Sequence, residues 1–351
     1  MRRFISRLSR GSGPLVAAVV YDSNSASDMR FTNEYPARDP ISGEIQVKLL
    51  SASLNPIDFK IPHIPGISWV RGRQPVGVDF CGEVCKVGDP SSRFKIGDKV
   101  FGMAEAGSLI ELATVAESNS FLLPSSLSAS EGAAYPSVAL TALQALRYAG
   151  IKVESPGIEL KNILILGSSG GVGHSAVQLA KISGAKVTAV CSSKNEEFVR
   201  SLGADVVVCY DKCDLESTLI PKSFDVVFDF ASHPSFTEGG KAVDYEPLCW
   251  AVVKPEGQIV ATTTAHGNLK PFLGIINHFT GIPTEKRRYH FLTVQPSQSD
   301  FALVAKLVEE KKFQVHISEK FPLTAAGVLE AFEKLRTVRT VGKIIIKPNS
   351  L

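Results

Sequence analysis

The sequence predicts an α/β protein in two parts, a β-rich module in front and a doubly wound parallel sheet behind it. Three observations carry this. From 15 to about 125 the chain reads as short β-rich runs punctuated by Pro, Gly and Asp. From 162 onward apolar strands alternate with helical stretches, the pattern of a parallel sheet covered on both faces. A turn of glycine and serine, "GSSGGVG" at 167–173, joins the first of those strands to the first of those helices.

The elements follow in order. The opening "MRRFISRLSR" carries Arg2, Arg3, Arg7 and Arg10, and no acid precedes Asp22. On a helical wheel Arg3, Arg7 and Arg10 share one side, and Phe4, Ile5 and Leu8 the other. A basic, acid-free, amphipathic segment reads as an organelle transit peptide, mitochondrial or of another organelle. The bland reading is a solvated tail on a cytoplasmic protein. Gly11, Gly13 and Pro14 end any helix there. "EIQVKLLSASL" (44–54), "GEVCKVG" (82–88) and "DKVFGM" (98–103) are strands of the front module. "SASEGAAYPSVALTALQALRYAG" (128–150) contains a long helical stretch, with serines at its start and Gly150 at its end. Six strand candidates then run "NILILG" (162–167), "AKVTAVC" (185–191), "ADVVVCY" (204–210), "FDVVFDFAS" (224–232), "GQIVATTT" (257–264) and "YHFLTV" (289–294). Helices through "HSAVQLAKIS" and "NEEFVRSL" separate the first three. A helix at 325–337 precedes a last strand, "GKIIIKP" (342–348).

Composition excludes several classes. With 44% hydrophobic residues, 21% charged residues and a net charge of +3, the chain is of the soluble globular kind. Beyond the N-terminus only "EKRR" (285–288) is densely basic, which argues against nucleic acid as a partner. No stretch nears the roughly 18 apolar residues of a membrane span. The nearest candidate, "PFLGIINHFTGIP" (271–283), is short and holds Asn277 and His278. The six cysteines form no CxxC and no zinc-finger spacing, so they read as reduced thiols.

The glycine turn has a physical purpose. A buried strand ends at Gly167 and a helix begins near Gly173. Between them Ser168, Ser169, Gly170, Gly171 and Val172 must turn tightly while letting a charged ligand approach the backbone. Glycines permit the dihedrals, and free N–H groups at the helix start bind pyrophosphate. In its strand–turn–helix setting this is a dinucleotide-binding loop, although Ser168 replaces one glycine of the usual pattern. At the end of the second strand an NAD site places an acid on the ribose 2′-hydroxyl. Here that place reads "CSSKN", with Ser192, Ser193 and Lys194, and the first acid is Glu196. Hydroxyls and a lysine suit a 2′-phosphate, so NADPH is expected over NADH. Tyr210, ending the third strand, flanks the adenine or phosphate, or simply packs. His174 touches pyrophosphate or lies on a solvated helix start.

At this point "NILILGSSGGVGHSAVQLAK", "VTAVCSSKNEEFVRSLGADVV", "AAYPSVALTALQAL", "FKIGDKVFG" and "GKIIIKP" resemble the medium-chain dehydrogenases/reductases, in the zinc-independent quinone oxidoreductase branch. The likeness extends to mitochondrial reticulon-interacting oxidoreductases and chloroplast-envelope quinone-oxidoreductase homologues. The resemblance implies a GroES-like catalytic domain (14–127 and 296–351), a Rossmann NADPH-binding domain (128–295) and a site in the cleft between them, with residues 1–13 as the targeting segment. Zinc-dependent members carry ligands at three places, which here read Asn55 in "SLNPIDFK", Val78 in "GVDFCG" and Ser137 before "TAL". Valine cannot bind zinc and the other two are poor ligands, so no zinc is expected. The resemblance further implies hydride transfer to a quinone or α,β-unsaturated carbonyl, with Asn55 hydrogen-bonding the substrate carbonyl or merely capping a turn before Pro56. Asp58 and Asp79 read as structural, Asp79 as a backbone-capping acid. Thr141 contacts the cofactor or bonds its own helix. Ala231, in the "FDFAS" (228–232) that ends the fourth strand, is expected where the backbone passes the nicotinamide ribose, and Thr263, at the end of the fifth strand, on the same rim of the sheet. His63 and Trp69 are candidates for the substrate pocket or for packing. Alternatives are an enoyl-thioester reductase, although residues 55–73 lack the tyrosine such enzymes use, and a low-turnover NADPH-binding scaffold or sensor. The loops 60–73 and 265–288 are least family-like. The strand "YHFLTV" could pair two subunits edge to edge in a homodimer.

Overall fold

Two sheets organise the chain in the computed structural model, which describes residues 13–21, 29–60, 74–154, 160–234, 241–262 and 288–348. The arginines of residues 1–10, His63, Trp69, Thr263 and the 271–283 segment lie outside the described residues.

The front module begins with an antiparallel pair, β1 (Leu15–Tyr21) and β2 (Met29–Pro36). Its main sheet contains β3 (Glu44–Leu54), β4 (Asp79–Val87), β5 (Lys99–Met103), β6 (Leu112–Ala116) and β7 (Ser120–Leu122), with a short helix α1 (Pro56–Lys60) after β3. The long helical stretch expected after 128 is in fact two helices, α2 (Ala129–Ala134) and α3 (Pro136–Tyr148). Pro136 cannot donate a backbone N–H and so begins a new helix rather than extending the old one. Ser128 and Glu131 form a capping box on α2.

All six expected strands of the second sheet form. They are β8 (Asn162–Leu166), β9 (Lys186–Cys191), β10 (Val206–Cys209), β11 (Phe224–Asp229), β12 (Val253–Ala261) and β13 (Tyr289–Phe291), parallel throughout in the order β10-β9-β8-β11-β12-β13. Among the described residues, the helices between them are α4 (Gly171–Ile182), α5 (Glu196–Ser201), α6 (Leu215–Thr218) and α7 (Glu246–Val252). The unbroken apolar run of β8 follows from its central place. Ile163 and Ile165 join an apolar cluster with α3 and α4, while Leu164 and Leu166 join another with α7, because successive strand residues point to opposite faces.

The chain then returns. α8 (Gln298–Glu309) packs on α3 and β7, with Phe301 edge-on to Phe101 of β5 at 5.6 Å. β14 (Ile317–Pro322), α9 (Ala325–Arg336) and β15 (Lys343–Lys347) rejoin the front sheet, whose order is β14-β15-β3-β4-β5-β7, with β6 also on β3. Ile345 of β15 lies opposite Ser53 of β3. One apolar cluster runs from Val177 of α4 through Leu143 of α3 to Phe101 and Ile345, so the two sheets share packed core.

Candidate cofactor and active site

In the parallel sheet, β9 and β10 lie on one side of β8, and β11, β12 and β13 on the other. Where strand order reverses, a crevice opens outside the carboxyl ends of the strands, and open α/β sheets bind ligands there. The loops after β8 and β11 meet at this point: a Cβ on Gly167 would lie 2.9 Å from the Phe230 carbonyl oxygen and 3.2 Å from Ala231 Cβ. The helix approaches the strand so closely that a Cβ on Gly173 would sit 2.1 Å from the Gly167 carbonyl oxygen. Above Gly170, by contrast, a Cβ would meet nothing nearer than 3.4 Å, so the outer side of the turn is open. α4 begins at Gly170 with no side-chain cap, whereas α8 and α9 are capped by Ser297 and Thr324. Its first N–H groups are thus left for an anion, and a pyrophosphate fits the cradle.

The expected contacts around this turn divide. Ser168 is buried beneath it, donating its N–H to the Val190 carbonyl (3.0 Å) and its hydroxyl to the Ile165 carbonyl (2.7 Å). It supports the loop from within, with its N–H and hydroxyl hydrogen both donated inside the chain. Ser169 and Ser192 both accept from the Asn195 side-chain amide, at 3.1 and 3.2 Å. Ser193 gives its N–H and hydroxyl to the Asp211 carboxylate, at 2.7 and 2.8 Å. These bonds hold the Asp211 carboxyl below its usual range. Ser193 is therefore already committed, and an acid from the end of the next strand stands beside it. Lys194 is exposed. The Tyr210 hydroxyl accepts from Arg339 at 2.7 Å, so a second cation, from the segment before β15, reaches the same rim. Sequence spacing could not pair residues 129 positions apart.

At the other end lies a buried polar cluster. The Asp79 carboxylate accepts from the Ser137 N–H (2.9 Å) and hydroxyl (2.6 Å) through one oxygen. Through the other it accepts from Ser53 (3.0 Å), the Asn55 side-chain amide (2.9 Å) and Lys343 (3.2 Å). Asp79 thus caps α3, as expected, and also neutralises a lysine. Lys343 Nζ, fully buried, further donates to the Leu54 carbonyl (2.9 Å) and the Asn55 side-chain oxygen. Burial draws the Lys343 ammonium below the usual lysine range, against the opposing pull of Asp79 and Asp58. Asp58 accepts the Asn55 backbone N–H at 2.7 Å. Asn55 and Ser137, the two polar residues at the positions of zinc ligands, are therefore joined through Asp79. Val78 packs against the shared apolar core. Among the described residues no three His, Cys, Asp or Glu side chains gather as a metal site.

In the sequence Lys343 stands only as a member of the strand "GKIIIKP". Its stem passes the glycine turn, where a Cβ on Gly171 would lie 3.3 Å from Lys343 Cδ, before entering the cluster. The signal available was a cation at the start of an otherwise apolar strand. Thr141, one turn after Ser137 on α3, is buried. Ala231 donates its N–H to Asp229, whose second carboxyl oxygen is buried without a partner. Burial raises the Asp229 carboxyl above its usual range. His174, expected at a solvated start or on pyrophosphate, is instead fully buried with both ring nitrogens bonded inside the chain.

Comparison with known proteins agrees with this architecture. Residues 41–125 match the alcohol dehydrogenase GroES-like domain, and residues 202–346 match the zinc-binding dehydrogenase family. A chloroplastic quinone-oxidoreductase homolog of Spinacia oleracea is 37% identical over 90% of this chain and 93% of its own. The mitochondrial NAD(P)H oxidoreductase RTN4IP1 of Bos taurus is 30% identical over 98% of this chain and 92% of its own. The structure of a quinone oxidoreductase from Coxiella burnetii superposes with a TM-score of 0.76 at 27% identity, covering 94% of this chain and 98% of that one. With a GroES-like sheet, a parallel sheet carrying a glycine turn at its reversal point and relatives of this extent, the chain belongs to the medium-chain dehydrogenase/reductase superfamily.

Proposed function

We propose that the protein is an NADPH-dependent, zinc-independent oxidoreductase that transfers hydride to a quinone or an α,β-unsaturated carbonyl compound. The observation that carries this is Lys343, whose stem forms a wall of the glycine cradle and whose ammonium enters the Asn55–Asp79–Ser137 cluster. Cofactor turn and acceptor cluster thereby share one buried side chain. The names borne by the spinach and bovine relatives support the activity class.

When bound, a reduced nicotinamide supplies the hydride, and the protein supplies orientation and charge. The first amides of α4 hold the pyrophosphate. Lys194 and Arg339 favour a 2′-phosphate, and Asp211, occupied by Ser193, stands as the opposing charge. Thr141 offers its hydroxyl to the cofactor. Asn55 has one side-chain N–H left after Asp79 takes the other, and this N–H donates to the acceptor's carbonyl oxygen. Lys343 and Asp79 hold the amide in place, so no reorganisation is needed as negative charge grows on that oxygen. Water supplies the proton.

The same reading takes 14–127 with 296–351 as the catalytic domain and 128–295 as the cofactor domain. β13, an outer strand of the parallel sheet, is the proposed homodimer edge. Residues 1–13 are proposed to direct the chain to an organelle, the mitochondrion first, and a reporter fused to residues 1–30 that stayed in the cytosol would remove that claim. The activity is tested by following oxidation of NADPH, then NADH, with ortho-quinones, para-quinones and enones. Turnover with NADPH and one acceptor class is expected. Tight NADPH binding without turnover on any of them would favour an enoyl-thioester reductase or a scaffold. Stoichiometric zinc in the purified protein would overturn the metal-free chemistry.

A further inference from the structure

His174 and Gln178 lie four residues apart on α4, the helix that begins at the glycine turn, and so project from one side of it. Both bond to the segment Gln314–His316, which leads into β14 of the front sheet. Gln178 treats Gln314 as a strand neighbour would: its amide nitrogen donates to the Gln314 carbonyl (2.8 Å) and its amide oxygen accepts the Gln314 N–H (3.1 Å). Two residues on, the His316 N–H donates to His174 Nε2 at 3.1 Å. Since Nε2 accepts, the ring proton is on Nδ1, and it is donated to the Gly170 carbonyl at 2.8 Å. That carbonyl also accepts the His174 backbone N–H at 3.0 Å. The seam continues as the Lys343 N–H donates to the His316 carbonyl (2.9 Å) and the Gly342 N–H to the Ser169 carbonyl (3.0 Å).

We propose that His174 and Gln178 form a side-chain ladder tying the glycine turn to the returning chain of the front sheet, with His174 a positioning residue for the cofactor. A shift of Gln314–His316 is passed through one imidazole to Gly170, at the lip of the cradle. The turn is thus set by the front sheet as well as by its own strand and helix. The cofactor half of this inference rests on the function proposed above.

Amide hydrogen exchange of segments 165–176 and 312–318 tests it, together with the NADPH dissociation constant from nicotinamide fluorescence. His174→Ala should speed exchange in both segments together and raise the NADPH dissociation constant by about fivefold, the effect of one net hydrogen bond. His174→Gln places a carbonyl near the former Nε2, so it should restore protection at 312–318 while leaving 165–176 loose. Faster exchange at 312–318 alone, with NADPH affinity unchanged, would overturn the proposal and leave His174 an ordinary packing residue. Should His174→Ala fail to fold, Gln178→Leu is read on the same two segments, where joint loosening supports the ladder and independent behaviour sinks it. A wild-type chain that binds neither NADPH nor NADH overturns the cofactor reading and the positioning role with it, whereas joint loosening in the variants still supports the ladder.

Discussion

Lys343→Met keeps most of the lysine stem and removes the charge at its end. In the native protein that ammonium serves the Leu54 carbonyl, the Asn55 side-chain oxygen and the Asp79 carboxylate, all within the buried cluster. Methionine leaves two acceptors without that donor, at about 1–3 kcal/mol each if neither finds water. It also leaves Asp79 as a buried charge with no counter-ion. Removing one partner of a buried pair typically costs about 3–5 kcal/mol. Asp79 keeps the Ser137 N–H and hydroxyl, the Ser53 hydroxyl and the Asn55 amide, which points to the lower end, about 3 kcal/mol. Urea unfolding followed by circular dichroism measures the loss. Adding Asp79→Asn to Lys343→Met removes the orphaned charge and should recover part of the stability, so the two changes are strongly non-additive. A Lys343→Met protein within about 1 kcal/mol of wild type, or losses that simply add in the double variant, would refute the argument that the pair is coupled in a dry site.

Burial lowers the His174 imidazole to about 4, helped by the neighbouring His316 and Lys343, while its bond to Gly170 opposes the shift. A histidine kept neutral in the fold contributes stability in full above its unfolded pKa near 6.5 and loses it as pH falls toward about 4. The difference amounts to roughly 3 kcal/mol. Glu131 lines the same small cavity as His174 and His316. Urea midpoints from pH 7 to 4.5 should fall more steeply for wild type than for His174→Gln, and parallel curves would refute the assignment. Lys194→Ala and Arg339→Ala should each weaken NADPH by about tenfold or more and leave NADH nearly unchanged, as expected for charge-assisted bonds to a 2′-phosphate. Equal weakening of both nucleotides, measured by fluorescence titration, would move these cations away from the 2′-phosphate. Gly173→Ala brings a methyl to 2.1 Å from the Gly167 carbonyl oxygen and should abolish nucleotide binding. Retained affinity in the same titration would show that the turn relaxes freely.

The features legible in the sequence were those with local causes. The doubly wound sheet could be read because each strand is buried on both faces and so appears as an apolar run, with "NILIL" the clearest case. The glycine turn could be read because close approach of helix to strand forbids side chains there. Features made by chain closure could not. Lys343 looks like the polar start of a strand until β15 inserts beside β3 and buries it against Asp79. His174 reads as a solvated helix start because nothing local announces that Gln314–His316 will cover it. Ser192, Ser193 and Lys194 read as neighbours in one short run, and nothing there announces that Asp211, 18 residues on, bonds Ser193 from the end of the next strand. The helical stretch within 128–150 divides in two because Pro136 has no N–H with which to continue α2.

The insertion of β15 between β14 and β3 also bears on how the chain is made. Asn55 at the end of β3 waits for Lys343, 288 residues later, before its cluster can close. At about 5–20 residues per second, synthesis of that interval takes on the order of tens of seconds. Until then the inner edge of β3 has no β15 beside it, an open template for wrong pairing. The parallel sheet between can be completed first, since its six strands all precede residue 292. The nascent protein is therefore expected to carry a finished nucleotide fold tethered to an unfinished catalytic one. Ribosome-bound chains ending before Gly342 should accordingly be cut by protease around β3 and spared around β8, and equal resistance at both would show that the front sheet closes without its last strand.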